Sequence, residues 1–370
     1  SEMIFSKYRL LTLLFLGLPL CVQAEEYQEG FLTSHLNRAI EKVTPSNSWA
    51  SAPQFGGYIN GQYCYDDKKG NHGGNGFGIR LLRMYVSGTL LNDFKYRVQV
   101  EMNGSVALRD ATIEWARWKE FSVKAGQFKR CFTYSNPTHP MLIGNGVYPQ
   151  IVNKLAGFGD YCGEPSVNGR DIGLQFSGDL FPVGQTGHRL IRYEAAVYNG
   201  NGQNRADNNG QKDWIGNLQV QPIPNLYVAL FGWKGNYTQD GVTVGRNRWG
   251  LGAKYTNDKW TAYAEYAHNT GHRIQDYDAD SKTWSGTGRA DAWYATLGYQ
   301  LTPWLQPFLR YDAYREQATW ESAKSIYSVV SNFTLHKNLM FQLQYNFVHD
   351  KPYVRDRKYN ELKALFYIRF

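Results

Sequence analysis

The 370-residue sequence has no apolar run after position 24 long enough for a membrane-spanning helix, which needs about 20 such residues. Without a spanning helix, the mature chain can cross a membrane only as a closed β-barrel. The low mean hydropathy does not oppose this, because only every second residue of a barrel strand meets lipid. Abundant tyrosine (27) and glycine (37) favour a sheet protein with many turns and aromatic girdles.

Cysteine is also scarce. Of four cysteines, Cys21 lies in the leader, which leaves Cys64, Cys131 and Cys162 in the mature chain. Three cysteines are too few, and odd in number, so they cannot form a framework of several disulfides. Cys131 and Cys162 bracket one long connection and could pair in an oxidising compartment, or both could be free thiols.

Catalytic and metal-binding motifs are missing. There is no G-x-S-x-G nucleophile elbow, and the histidines and acidic residues lack metal-ligand spacing. The run Asp276, Asp278 and Asp280 could at most hold a divalent cation weakly, and a solvated acidic loop is the simpler interpretation. The sequence therefore predicts no catalytic site, no metal site and no cofactor.

Residues 1–24 are predicted to be a cleaved signal peptide. Lys7 and Arg9 precede an apolar run at 10–20, and Val22-Gln23-Ala24 is a small-x-small cleavage site. The run is short for an anchor helix, and a bulky leucine before Cys21 disfavours a lipoprotein. Export argues against nucleic acid as a partner, so the basic balance of the chain (40 Lys and Arg against 32 Asp and Glu) indicates anionic lipid or an anion pathway.

Residues 25–53 differ from the rest. Apolar positions between Phe31 and Val43 follow helical spacing, and Pro45 ends the pattern. We predict a periplasmic arm containing a short helix.

From residue 54 to 370 the hydrophobic period changes to two. Between Phe94 and Met102 the apolar residues alternate with Lys95, Arg97 and Glu101. Charges confined to one face of a strand are typical of a wall between lipid and a wet lumen. The pattern predicts an all-β fold, a single antiparallel transmembrane barrel of about sixteen strands. The strands are expected to centre near Ile59, Met84, Val98, Ile113, Val123, Leu174, Ala195, Leu218, Leu230, Leu251, Ala262, Ala295, Leu309, Val329, Leu343 and Leu365.

The predicted connections alternate between short and long. Asn92-Asp93 and Asn257-Asp258 are tight, whereas 66–77 and 269–288 are long. Short periplasmic turns and long external loops are typical of outer-membrane barrels, and a soluble sheet protein has no reason to segregate them. The longest connection, 131–169, is expected either to fold into the lumen or to form an external lid or subunit contact.

Strand parity assigns side chains to the two faces. Most tryptophans receive lipid-facing parity near strand ends, as in an aromatic belt. Lumen-facing aromatics are fewer, and a sugar-stacking track is the competing interpretation. Basic side chains exceed acidic ones at lumen parity, which favours anions unless these charges are paired across strands.

Several short motifs resemble the phosphate-selective porin O and P family. They are Gly126-Gln127-Phe128-Lys129, Gly169-Arg170-Asp171-Ile172-Gly173, Tyr198-Asn199-Gly200-Asn201-Gly202-Gln203-Asn204, Arg310-Tyr311-Asp312 and the terminal Arg369-Phe370. The resemblance runs from about Phe55 to Phe370. One departure is Cys131, where the family often has proline. The resemblance implies a trimeric sixteen-stranded barrel with an inward loop and basic residues along the pore.

We therefore expect a Gram-negative outer-membrane channel for small hydrophilic solutes, with a preference for anions such as phosphate. A general or oligosaccharide-transporting porin is the alternative, and an outer-membrane enzyme or adhesion barrel is less favoured. Expected partners are outer-membrane lipid, the small anions, sister subunits of a homotrimer, and the barrel-assembly machinery through Phe370. The predicted pore-lining, anion-binding residues are Arg83, Arg97, Lys124, Lys129, Arg170 and Arg310.

Overall fold

The computed structural model describes residues 37–38, 49–68, 75–352 and 356–370. Sixteen antiparallel strands form one closed barrel in which each strand pairs with its neighbours along the chain. The strands are β1 (Gln54–Asp66), β2 (Gly76–Leu90), β3 (Phe94–Glu101), β4 (Ala107–Trp115), β5 (Ser122–Lys129), β6 (Arg170–Pro182), β7 (Arg189–Tyr198), β8 (Asp213–Ile223), β9 (Leu226–Gln239), β10 (Val242–Thr256), β11 (Trp260–Thr270), β12 (Arg289–Tyr299), β13 (Leu305–Arg315), β14 (Ala323–His336), β15 (Leu339–Asp350) and β16 (Arg357–Arg369).

The predicted fold class is confirmed, and each predicted strand centre falls within a barrel strand. Other elements are small: helix α1 (Gln150–Leu155), 3-10 turns at Pro140–Ile143, Ile274–Asp276 and Trp320–Ser322, and a hairpin of two short strands, Tyr277–Asp278 and Thr283–Trp284. No helix among the described residues is long and apolar enough to cross a bilayer.

The predicted signal peptide lies outside the described residues, as does most of the predicted 25–53 arm. Asn37 and Arg38 are helical, and the Asn37 side chain is buried against the start of β1. Its amide bonds both backbone groups of Phe55, at 2.9 Å to the nitrogen and 3.2 Å to the oxygen.

The barrel closes where β16 meets β1. Ile59 is paired with Ile368, and Gly57 exchanges two backbone hydrogen bonds with Phe370, of 2.9 and 3.0 Å. A Cβ on Gly57 would stand 2.8 Å from the Phe370 ring and 2.6 Å from the Arg83 carbonyl oxygen. The close approach of the C-terminal ring explains why the chain has glycine here.

Strand parity separates the two faces as the period of two predicts. Val98, Leu251 and Leu309 on the outer face are 40, 50 and 60% exposed, and the inward Gln99 is fully buried. A β-bulge interrupts the pattern in β2, because Asn60 pairs with Leu81 while Gly61 pairs with Ile79. The extra residue, Arg80, is thereby directed to the lumen although its spacing from Arg83 predicts the opposite face.

Candidate functional site

The connection between β5 and β6, residues 131–169, folds into the barrel. Phe132, Ile143, Ile151 and Leu155 are fully buried, in one cluster with inward residues of the wall. Helix α1 packs against β11, β12 and β13 on the far side of the lumen. Of the two conformations left open by the sequence, the structure therefore has the inward one.

An ion pair ties this inward loop to β10. The Arg248 guanidinium donates to both Asp160 carboxylate oxygens and, at 2.7 Å, to the Leu155 carbonyl oxygen at the end of α1. Burial by itself would raise the pKa of the Asp160 carboxyl, but the Arg248 charge outweighs burial and lowers this pKa to about 2. Asp160 is therefore ionised throughout the physiological pH range.

A second cluster of charges fixes the base of the loop. Arg130 donates to both Glu164 oxygens at 3.0 Å and to Asp171 at 2.7 Å. Arg246 of β10 reaches Glu164 at 3.1 Å and Asp213 at 2.8 Å. Burial tends to raise the pKa of the Glu164 carboxyl, but the two guanidinium groups lower it overall.

The indole of Trp233 lies among the three guanidinium groups of these clusters. The guanidinium carbons of Arg130, Arg246 and Arg248 lie 5.0, 5.1 and 4.7 Å from the ring centroid. Attraction to the ring face stabilises cations that repel one another. The role of these three arginines is therefore to hold the loop in place.

The far part of the loop bonds to the opposite wall. Arg310 donates to the carbonyl oxygens of Val147 (3.1 Å) and Ile143 (3.3 Å), while Asp312 accepts the Gln150 backbone N–H at 3.0 Å. Gln342 of β15 accepts the Gly146 N–H at 2.8 Å. The loop thus crosses the lumen and narrows it, leaving open space on the side of β2, β14, β15 and β16.

That open space is a lumen cavity of about 510 Å³ between the loop and the wall. Its charged lining contains eight Lys or Arg residues and two carboxylates. The cations are Arg80, Arg83, Lys129, Lys154, Arg170, Arg310, Lys324 and Lys363, and the carboxylates are Asp312 and Glu361.

Some cavity cations are held by carboxylates. Arg83 meets Glu101 at 2.7 Å, and Arg170 donates to both oxygens of Asp110, at 2.8 and 2.9 Å. Lys363 lies 3.4 Å from Glu361. Their charge still contributes to the field in the cavity, but part of it is neutralised locally.

Four cavity cations, Arg80, Lys154, Arg310 and Lys324, have no carboxylate within 4 Å among the described parts of the chain. The Arg80 Nη1 is buried and has no hydrogen-bond partner there. Lys129 lies on the loop side, where its ammonium group donates to the Tyr148 hydroxyl at 2.8 Å. Arg80, Lys154 and Lys324 leave hydrogen-bonding capacity for a passing anion.

Four of the six predicted pore residues, Arg83, Lys129, Arg170 and Arg310, line the cavity. Arg97 and Lys124 do not. Arg97 stacks on the Tyr85 ring, 4.0 Å from its centroid, and Lys124 lies 3.5 Å from Glu114. Both lie nearer to the short turns of the barrel.

Sequence reasoning missed Arg80, Lys154 and Lys324. Parity counted from Val329 places Lys324 on the lumen face, so the sequence did contain that signal. Arg80 depends on the bulge in β2, and Lys154 depends on the path of the loop. The alternating pattern of strand residues reveals neither a bulge nor the path of a loop.

The cysteines are also settled by the structure. Cys64, Cys131 and Cys162 are free thiols, and the pairing considered for Cys131 and Cys162 is not formed. The Cys131 thiol donates to the Ile215 carbonyl oxygen at 3.6 Å. Burial raises the pKa of both loop thiols well above the ordinary value, so they remain protonated.

A closed sixteen-stranded barrel with an inward loop and a charged lumen is the architecture of outer-membrane porins. Residues 55–139 match the model of the family described as phosphate-selective porin O and P, which confirms the predicted resemblance over that part of the chain. No curated protein sequence matches the chain significantly.

Solved porin structures share the fold at low sequence identity. The anion-selective porin from Comamonas acidovorans is 14% identical and has a TM-score of 0.65, with 87% of this chain and 100% of that chain covered. The outer membrane channel DcaP of Acinetobacter baumannii is 12% identical with a TM-score of 0.63, covering 88 and 99%. The trimer form of OmpT from Vibrio cholerae is 11% identical with a TM-score of 0.59, covering 87 and 100%.

Proposed function

We propose that this protein is a passive channel that favours small anions, with phosphate as the expected solute. The observation that carries the proposal is the charged lining of the lumen cavity, eight cations against two carboxylates. Low-dielectric walls focus this field on the narrowest part of the path. This field lowers the free-energy barrier to passage through the lumen for anions and raises it for cations.

We assign the contacts with the permeating ion to Arg80, Lys129, Lys154 and Lys324. Their N–H groups can replace part of the hydration shell of an anion as it passes. Lysine ammonium groups bind as mobile point charges, which favours release as well as entry. Arg83, Arg170 and Arg310 add to the field from fixed positions, and Arg97 and Lys124 act nearer to the periplasmic mouth.

The family match supports an anion preference through its description, which concerns phosphate. The neighbour from Comamonas acidovorans is described as anion-selective. We further propose a homotrimer, as in the described trimer form of OmpT. Contact with outer-membrane lipid and assembly through Phe370 belong to the same proposal.

One feature of the cavity favours a second candidate, a channel for oligosaccharides. The Tyr148 and Phe158 rings both line the cavity, with their centroids 4.9 Å apart. Aromatic rings of this kind can stack on sugar faces. In that case the excess of positive charge would be incidental to transport.

Planar-bilayer recording distinguishes the two candidates. Reversal potential is measured in a KCl gradient, and current is then measured while phosphate or maltooligosaccharide is added. If the anion proposal is right, the reversal potential should be displaced toward the equilibrium potential of chloride, and added phosphate should block the current in a saturable way. A reversal potential near zero with block by the sugar alone would support the oligosaccharide channel instead.

A further inference from the structure

The outer face of the barrel carries charged side chains in one region where lipid contact is expected. Asp291 of β12 and Arg315 of β13 are direct cross-strand partners, and Arg315 donates to both Asp291 oxygens, at 2.8 and 2.6 Å. They share the strand parity of the exposed Leu297 and Leu309. Both side chains therefore lie on the lipid-facing surface and not in the lumen.

These residues lie at the external end of the wall, where the long connection 271–288 joins β11 to β12. A charge facing lipid costs about 2–4 kcal/mol at the bilayer midplane and close to nothing at the interface. A row of aromatic rings in contact lies beside the pair and marks that interface: Trp249, Tyr266, Trp293 and Trp320, with successive centroids 5.3, 6.4 and 5.7 Å apart. The charged pair is therefore at the level of the lipid headgroups.

The same region forms an open recess of about 530 Å³, lined by Tyr266, His268, Arg289, Asp291 and Arg315. Arg289 is exposed, and its guanidinium group makes no ion pair among the described residues. The Arg315 guanidinium lies between two indoles, 5.3 Å from the Trp293 centroid and 5.1 Å from that of Trp320. Two arginines face one carboxylate, which leaves a net positive charge beside an aromatic surface.

We propose that this recess, which we call the rim recess, binds the phosphorylated sugar headgroup of a glycolipid in the outer leaflet. Arg289 supplies the free fork for a phosphate, because guanidinium groups bind phosphate oxygens in pairs. Arg315 adds charge from a position fixed by Asp291 and the two indoles. The row of rings lies against the sugar and the upper acyl chains, as interfacial aromatics do.

Charge complementarity selects this occupant. Basic pockets at the headgroup level of membrane proteins recognise anionic lipid headgroups. The outer leaflet of a Gram-negative outer membrane consists mainly of glycolipid that carries phosphates on its glucosamine units. The rim recess shares no lining residue with the lumen cavity, so it lies off the path of a permeating solute.

The test uses full-length protein extracted in detergent and native mass spectrometry with added lipid. The probes are diphosphorylated lipid A and the same lipid after its phosphates have been removed. The variant is Arg289→Gln, at an exposed position. Arg117→Gln is the matched control, because Arg117 is also exposed and lies 5.8 Å from the Trp118 ring, but between β4 and β5 at the opposite rim.

We expect wild type and Arg117→Gln to retain diphosphorylated lipid A equally, and Arg289→Gln to retain roughly fivefold less. Dephosphorylated lipid should bind weakly and equally to all three proteins. The double variant Asp291→Asn/Arg315→Gln, which leaves no orphaned charge, should also bind the diphosphorylated lipid less. Bilayer conductance should be the same in every variant, because the lumen is unchanged.

Three results would overturn the proposal. One is equal retention of diphosphorylated lipid A by Arg289→Gln and wild type. Another is retention that does not depend on the phosphates. The third is dissociation of subunits in Arg289→Gln without loss of lipid, which would make the rim recess a contact between copies of the chain.

Discussion

Arg248 and Asp160 are 88 residues apart in sequence and form a fully buried ion pair in the lumen, with an Nη1–Oδ2 distance of 2.7 Å. The pair joins a wall strand to the loop that narrows the channel. A second bond from Arg248 to the Leu155 carbonyl oxygen fixes the end of helix α1 to the same guanidinium. The width of the pore therefore depends on this contact.

Replacing Asp160 with asparagine should loosen the loop. The substitution leaves the Arg248 charge buried with one neutral partner, and losing one member of a buried pair costs about 3–5 kcal/mol. We expect rapid closures in single-channel records and a lower temperature of barrel unfolding in heat-modifiability gels. Asp278→Asn, at an exposed position in another loop, is the control. A quiet channel in Asp160→Asn would show that other contacts are enough to hold the loop.

The same contact predicts how the channel responds to acid. The pKa of Asp160 is lowered from 3.8 to about 2 in the folded protein. Its contribution, about 2 kcal/mol, is therefore complete above pH 3.8 and is lost as the pH falls through 2. Glu164, whose pKa is also lowered, changes stability in the same direction.

Loss of the Asp160 charge should accordingly increase single-channel noise as the pH falls below about 4. Recording wild type beside Asp160→Asn checks the assignment, since the variant lacks this titration. An equal rise of single-channel noise in both proteins would show that other carboxyl groups cause it.

Removing single positive charges should reduce anion selectivity more at the cavity cations than at the other predicted pore residues. Lys324→Gln and Arg80→Gln each remove an unpaired cation from the lumen cavity. An effect of about 1 kcal/mol on the anion would reduce the chloride-to-potassium permeability ratio roughly fivefold. Arg97→Gln is the comparison, because Arg97 lies outside the cavity. A larger loss of selectivity in Arg97→Gln would place the selective region at the periplasmic mouth.

Barrel closure depends on Gly57. A Cβ at this position would meet the Phe370 ring and the Arg83 carbonyl oxygen, and such overpacking costs typically about 1–3 kcal/mol. We expect Gly57→Ala to lower the temperature at which the folded band disappears in heat-modifiability gels. Gly61→Ala in the same strand is the matched control, since no atom lies within 4 Å of its added Cβ. Equal stability of the two variants would show that the terminal strand can shift to accommodate the methyl group.

The wall of the barrel could be predicted almost completely from the sequence. Alternation between lipid-facing and lumen-facing residues is written locally, because successive side chains of a strand point to opposite faces. Val98 on the outer face and Gln99 on the lumen face illustrate this alternation. The tight connections that follow β2 and β10 are likewise predicted from local sequence. For the same reason parity alone predicts that Arg83 and Arg310 lie on the lumen face.

The narrow part of the channel was decided only by the tertiary structure. Whether residues 131–169 enter the lumen depends on partners far away in sequence, such as Arg248, Arg310 and Gln342. Which cations are free for an anion depends on the bulge that turns Arg80 inward and on the carboxylates that hold Arg83 and Arg170. Strand periodicity is a property of neighbouring residues, whereas pairing of buried charges is a property of residues that only the closed barrel brings together.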